Sequence, residues 1–180
     1  MGAVAITKVV IIDNDKFWLK EIAILCRSIG LVSFPELSTQ DYETFGKLKA
    51  GIVRSFKLLI DEEKRLAARS EVANLLKDLS LDGGQSRTAF VIDCELTENC
   101  KETYANVNGL NFYKQFTPGQ PAVFIYEPSL HHDSLDNFKR VKELCKENRQ
   151  CRLLHKYDVD FVKKLTQELE TFKNHQSVLS

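Results

Sequence analysis

KVVIIDND, Lys8 to Asp15, sets four β-branched residues in a row and then turns abruptly to charge. A continuous apolar run of that length fits a strand covered on both faces, as in a parallel sheet. Working outward, Phe17, Trp18, Ile22, Leu25, Cys26 and Ile29 recur at helical spacing over Lys16 to Ile29, with Gly30 as the stop. Leu31 to Phe34 reads as a second short strand ended by Pro35. Further along, RTAFVID (Arg87 to Asp93), PAVFIY (Pro121 to Tyr126) and CRLLHK (Cys151 to Lys156) repeat the buried-strand pattern. Helical periodicity separates and follows them. Gly109 to Phe116 is one such segment. Ser134 to Asn148 is another, with Leu135, Phe138, Val141, Leu144 and Cys145 inward. Val159 to Phe172 is the last, with Phe161, Val162, Leu165 and Leu169 inward.

Strand and helix alternate five times, which predicts an α/β fold: a five-stranded parallel sheet, doubly wound, with helices on both faces. Residues 1–180 read as one domain. The segment from Gln40 to Leu81 is longer than a single crossover needs. Ile52, Phe56, Leu59, Glu63, Leu66, Val72, Leu75, Leu76 and Leu79 predict one long helix or two abutting ones, and Asp82-Gly83-Gly84 closes the segment as a turn. This insertion, 40–82, reads as an arm that meets a partner or a second copy of the chain, or as a helix folded back on its own domain.

The chain has 180 residues, 43% of them hydrophobic, enough for a core of useful size. Basic and acidic residues balance at 25 each, which argues against a broad nucleic-acid surface or an anionic membrane partner. Cys26, Cys94, Cys100, Cys145 and Cys151 are odd in number and include no CxxC pair, so a disulfide framework or a common zinc motif is not expected. No signal peptide and no membrane span are read, and reduced thiols in the cytoplasm are the natural setting. No helix-turn-helix module is expected after the last helix.

Ligands of open parallel sheets bind beyond the carboxyl ends of the strands. Asp13, Asn14, Asp15, Asp93, Tyr126 and Lys156 stand there. Carboxylates converging on one rim repel and call for a cation, and oxygen ligands of this kind suit magnesium. An ammonium from Lys156 pairs naturally with Asp93 or with a phosphoryl group upon it. A carboxylate beside magnesium and a lysine is a competent phosphoryl acceptor.

These stretches resemble a response-regulator receiver domain. KVVIIDND looks like its opening, FVIDCEL like the phospho-acceptor strand, NGLNFYKQF like the helix entry after it, and LLHKYD like the strand end that carries its lysine. The resemblance covers most of the chain outside Pro35 to Ser86. It implies that Asp93 is phosphorylated, that Asp13 and Asn14 hold magnesium with the backbone carbonyl of Glu95, and that Lys156 contacts the phosphate. It also implies a histidine kinase or phosphotransfer protein as donor and a protein contact as output, here stand-alone. The pattern departs at several positions: Asn14 replaces the second acid, with Asp15 as a substitute if it faces the site. Tyr126, followed by Glu127 and Pro128, stands at the hydroxyl switch position, Leu153 at the switch aromatic, and Tyr157 where a proline is usual. A pseudo-receiver that works by binding alone is the alternative. Asp13-Asn14-Asp15 also spells DxD after a buried strand, as in haloacid-dehalogenase-like phosphatases, with Asp13 as nucleophile and Asp15 as general acid. Cys94, the pair His131-His132, His155, Phe17 and Trp18 read as packing or solvated residues rather than as chemistry.

Overall fold

A computed structural model describes residues 6–36, 38–58, 60–80, 87–97, 101–127 and 132–174. Its strands are β1 (Ile6–Ile12), β2 (Val32–Phe34), β3 (Arg87–Asp93), β4 (Ala122–Tyr126) and β5 (Cys151–His155). Its helices are α1 (Lys16–Ser28), α2 (Thr39–Phe56), α3 (Glu62–Ser80), α4 (Gly109–Phe116), α5 (His132–Glu147) and α6 (Phe161–Asn174). The five strands form one all-parallel sheet in the order β2-β1-β3-β4-β5. This is the expected α/β architecture, in the flavodoxin-like strand order.

Burial explains the strand sequences. Val9, Val10, Ile11, Ala89 and all five residues of β4 are buried, because helices cover both faces of the sheet. On one face α1 meets α6: Trp18 and Phe161 pack edge-on at 5.1 Å, and Lys173 Nζ donates to the Ile29 carbonyl at 2.6 Å. On the other face Phe56 of α2 meets Phe116 of α4 at 5.9 Å, Phe112 of α4 meets Phe90 of β3, and Phe138 of α5 lies 4.3 Å from the Tyr126 ring.

Several predicted faces are narrower than the spacing implied. Phe17, Leu135 and Val162, read as inward, are exposed. Leu19, Ile22, Ala23 and Cys26 form the buried stripe of α1. Gly30, at φ +72°, ends that helix region as expected.

The insertion is two helices, and it folds back. Asp61 separates them: its Oδ1 accepts from the N–H groups of Glu63 and Lys64, satisfying free donors in the first turn of α3. Arg54 and Glu71 join α2 to α3 by an ion pair at 2.7 Å. Phe45, Leu48, Ile52 and Phe56 from α2, and Val72 and Leu76 from α3, belong to the same buried cluster as the sheet. A freely protruding arm is therefore not what these residues build; an apolar stripe of that size is more stable against the domain than in water. Leu66, read with the inward set, is exposed. Leu59 and the Asp82-Gly83-Gly84 turn lie outside the described residues.

Candidate functional site

Three strand ends meet at the carboxyl rim. Asp13 follows β1, Asp93 ends β3, and Lys156 follows β5. β1 and β3 are neighbours, whereas β5 is separated from β3 by β4. The lysine stem is long enough to cross that strand. Its backbone N–H donates to the Tyr126 carbonyl at 2.9 Å, which fixes its root. Its Nζ then lies 2.9 Å from Asp93 Oδ2 and 3.1 Å from Asp13 Oδ2. Exposure is 2% for Asp13, 4% for Asp93 and 3% for Lys156, so the pairs are screened little by water.

Backbone groups hold the carboxylates in turn. The N–H of Asp15 donates to Asp13 Oδ1 at 2.8 Å, and that of Glu95 to Asp93 Oδ1 at 3.2 Å. Asn14 sits between the acids. With its amide nitrogen turned inward, it donates to Asp93 Oδ2 at 3.2 Å and to the Glu95 carbonyl at 3.1 Å. Asn108 caps α4, its Oδ1 accepting from Asn111 N–H, and so starts that helix directly behind Asp93. The first residue of α4 is Gly109. A Cβ there would lie 2.2 Å from the Asp93 carbonyl oxygen, so only glycine lets the helix come this close.

The charges do not balance. Asp13 and Asp93 contribute two negative charges against one positive charge from Lys156. Glu127 adds a further carboxylate 3.8 Å from Lys156 Nζ, on the half-exposed side. Burial first, and then the Asp13 charge, push the Asp93 carboxyl up to about 8, with Lys156 opposing them. Burial also raises Asp13 above its ordinary value. Burial works against the charge on Lys156, but the carboxylates outweigh it and its pKa is raised. The cluster therefore holds one proton more tightly than isolated carboxylates would, or it needs a cation.

The donor set fits a hard cation. Asp13 Oδ2 is buried and in charge contact with Lys156, yet that contact lacks the direction of a hydrogen bond, and no other group bonds to this oxygen. Asn14, the next residue, reaches both Asp93 Oδ2 and the Glu95 carbonyl. Turned over, Asn14 would present its own carbonyl oxygen to these acceptors, an orientation that a cation among them or a proton on Asp93 favours.

Of the residues read as site positions, Asp13, Asn14, Asp93, Lys156 and the Glu95 backbone come together. Asp15 does not. It is exposed, and its Oδ1 accepts from Phe17 N–H at 2.8 Å as the N-cap of α1, so it does not stand in for the missing acid. Tyr126 is at the rim, but its ring is packed on Phe138 and edge-on to His155, 5.7 Å away. Cys94 is buried, with its thiol held well above the ordinary value, mainly by burial; it is packing, as read. His131 and the side chain of His132 lie outside the described residues.

Two neighbours were not picked out by the strand-end rule. Trp18 lies with its ring 5.7 Å from Lys156 Nζ. Glu127 accepts from the Tyr157 hydroxyl at 2.6 Å, a bridge between the segments after β4 and β5 beside the lysine. The signal for Glu127 was its place one residue past a strand end.

Compared with known proteins, the chain matches no protein-family model, no curated protein and no solved structure. Among the described residues, no helix is long and apolar enough to cross a membrane.

Proposed function

We propose that the chain is a receiver-like signalling domain that accepts a phosphoryl group on Asp93 in the presence of magnesium, with a histidine kinase or phosphotransfer protein as donor. The observation that carries this reading is the buried Asp13–Lys156–Asp93 cluster, with its one excess negative charge at the carboxyl rim of a parallel sheet. Asp13, Asp93, the Glu95 carbonyl and a turned Asn14 would hold the ion. A magnesium ion held there supplies positive charge against the phosphoryl oxygens. Asp93 reacts as carboxylate: one of its oxygens forms the bond to phosphorus, and the donor leaves with the electron pair of the bond that breaks. Lys156 follows the new charge, because its ammonium already touches Asp93 Oδ2. Output is a protein contact. Leu58, in the α2–α3 turn, and Leu66, on α3, are exposed and available for it.

A pseudo-receiver that binds without phosphorylation is the second reading, and Tyr126 favours it. The aromatic ring at the switch position is engaged with α5 and β5, so it is not poised to follow a phosphate. The phosphatase alternative needs Asp15 as general acid, and that carboxylate caps α1.

The test is incubation with magnesium and acetyl phosphate, read by intact mass, and with beryllofluoride, read by amide NMR, on wild type and Asp93→Asn. A magnesium-dependent adduct or shift that the variant lacks supports the acceptor. A folded wild type that responds to neither reagent removes it and leaves the pseudo-receiver.

A further inference from the structure

A second concavity lies away from the rim, on the face covered by the insertion. It is a cleft of about 600 Å³ between α3, the start of β3 and the end of α4. Phe90 and Phe116 form its apolar wall, Arg69 and Lys77 bring positive charge, and Gln115 and Gln120 bring amides. A smaller concavity of about 340 Å³ adjoins it, shares Arg69 and Gln115, and adds Arg65 and Lys114. Among the described residues, none that lines either one is an aspartate or glutamate. Sites of this volume, with an apolar wall and a few convergent polar groups, suit small ligands.

Two atoms mark the cleft as more than a surface fold. Thr88, on β3, is 6% exposed and lines the cleft, and its Oγ1 has no hydrogen-bond partner among the described residues. Arg69 Nε is also buried without one, while the guanidinium carbon lies 5.9 Å from the centre of the Phe56 ring, at the junction of the two concavities. A buried donor with no partner costs stability, and both of these line the same cleft. The planar fork of an arginine pairs two N–H groups with two oxygens of one anion, a phosphate or a carboxylate.

We propose that this cleft binds a small organic phosphate of the nucleotide class. The phosphate lies at Arg69, near Arg65 and Lys114. The ring lies along Phe116, within reach of the glutamine amides. Bare phosphate would leave most of the volume and the aromatic wall unused, and an uncharged ring would leave Arg69 Nε without a partner. The proposal does not depend on the reading of Asp93.

The test is calorimetric titration of the full chain, with EDTA present, using the four ribonucleoside monophosphates, ATP, adenosine and inorganic phosphate. At least one nucleotide is expected to bind about tenfold or more tightly than adenosine or phosphate. Arg69→Ala and Thr88→Val should each weaken it about tenfold, and Asp93→Asn should leave it unchanged. Thr88→Val keeps the β-branched shape and removes an unpaired hydroxyl, so its thermal stability should match or exceed that of wild type, which separates binding from folding. The proposal is overturned if no nucleotide binds, if adenosine binds as well as its phosphate, or if affinity ignores both Arg69 and Thr88.

Discussion

Replacing Asp93 with asparagine should make the protein more stable at neutral and alkaline pH, and the gain should disappear in acid. In the folded state the Asp93 carboxyl is pushed from 3.8 up to about 8, first by burial and then by the Asp13 charge. A raised folded pKa means that the native state keeps its proton after the unfolded chain has lost it. Native stability therefore falls as pH rises from about 4 to about 8. At about 1.36 kcal/mol per pH unit, the loss reaches about 4 kcal/mol at pH 7. Asparagine keeps the shape, can still accept from Lys156, and leaves Asp13 and Lys156 as a balanced pair. Some of the Lys156 bond is lost with the charge, so the expected net gain is about 2–4 kcal/mol at pH 8. Urea unfolding followed by circular dichroism, at pH 5 and pH 8 with EDTA, measures this directly. Millimolar magnesium should bring the wild type towards the variant at pH 8, because a cation answers the same excess charge. A variant less stable than wild type at pH 8, or a difference that does not change between the two pH values, would refute the charge argument.

Lys156→Met leaves two buried carboxylates facing each other, so it should cost about 3–5 kcal/mol at pH 8 and much less at pH 4, and adding Asp93→Asn should recover most of the loss in the same unfolding assay. Gly109→Ala places a Cβ 2.2 Å from the Asp93 carbonyl oxygen; it should cost about 1–3 kcal/mol by thermal melting and slow adduct formation with acetyl phosphate. Glu127→Gln removes a carboxylate 3.8 Å from Lys156 Nζ and weakens the Tyr157 bridge, so adduct formation by mass spectrometry should be faster than in wild type. Leu48→Ala, at a fully buried position of α2, should cost about 2–5 kcal/mol, while Leu66→Ser on the exposed side of α3 should stay within about 0.5 kcal/mol. Equal, small effects from that pair would mean that the insertion is not part of the core.

What the sequence revealed follows from where water is. β1, β3 and β4 were legible because both faces are covered, so their apolar runs are unbroken and end at the rim. The rim residues followed from the strands, and Asp13, Asp93 and Lys156 met across the sheet as their strand ends required. Asp15 was misread for a physical reason: an aspartate between a strand and a helix serves equally as a site ligand or as an N-cap, and spacing does not tell the two apart. Phe17, Leu135 and Val162 fit helical periodicity, yet each is exposed. The break between α2 and α3 carries neither glycine nor proline; its signal was Asp61 followed by two glutamates, a cap with acids in the first turn. The cleft at Arg69 had no sequence signature, because its residues come from α3, β3 and α4 and only tertiary packing gathers them.

The lysine that reaches over β4 has a bearing on how the molecule comes to be competent. Lys156 and Asp93 are 63 residues apart in the chain, and the strand between their strands must be in place before they can meet. Distant pairings of this kind slow folding, because the loop between them must close before the contact rewards it. A chain in which β5 has not docked thus presents Asp93 with no ammonium beside it. The Lys156–Asp93 contact therefore reports that the last strand has docked.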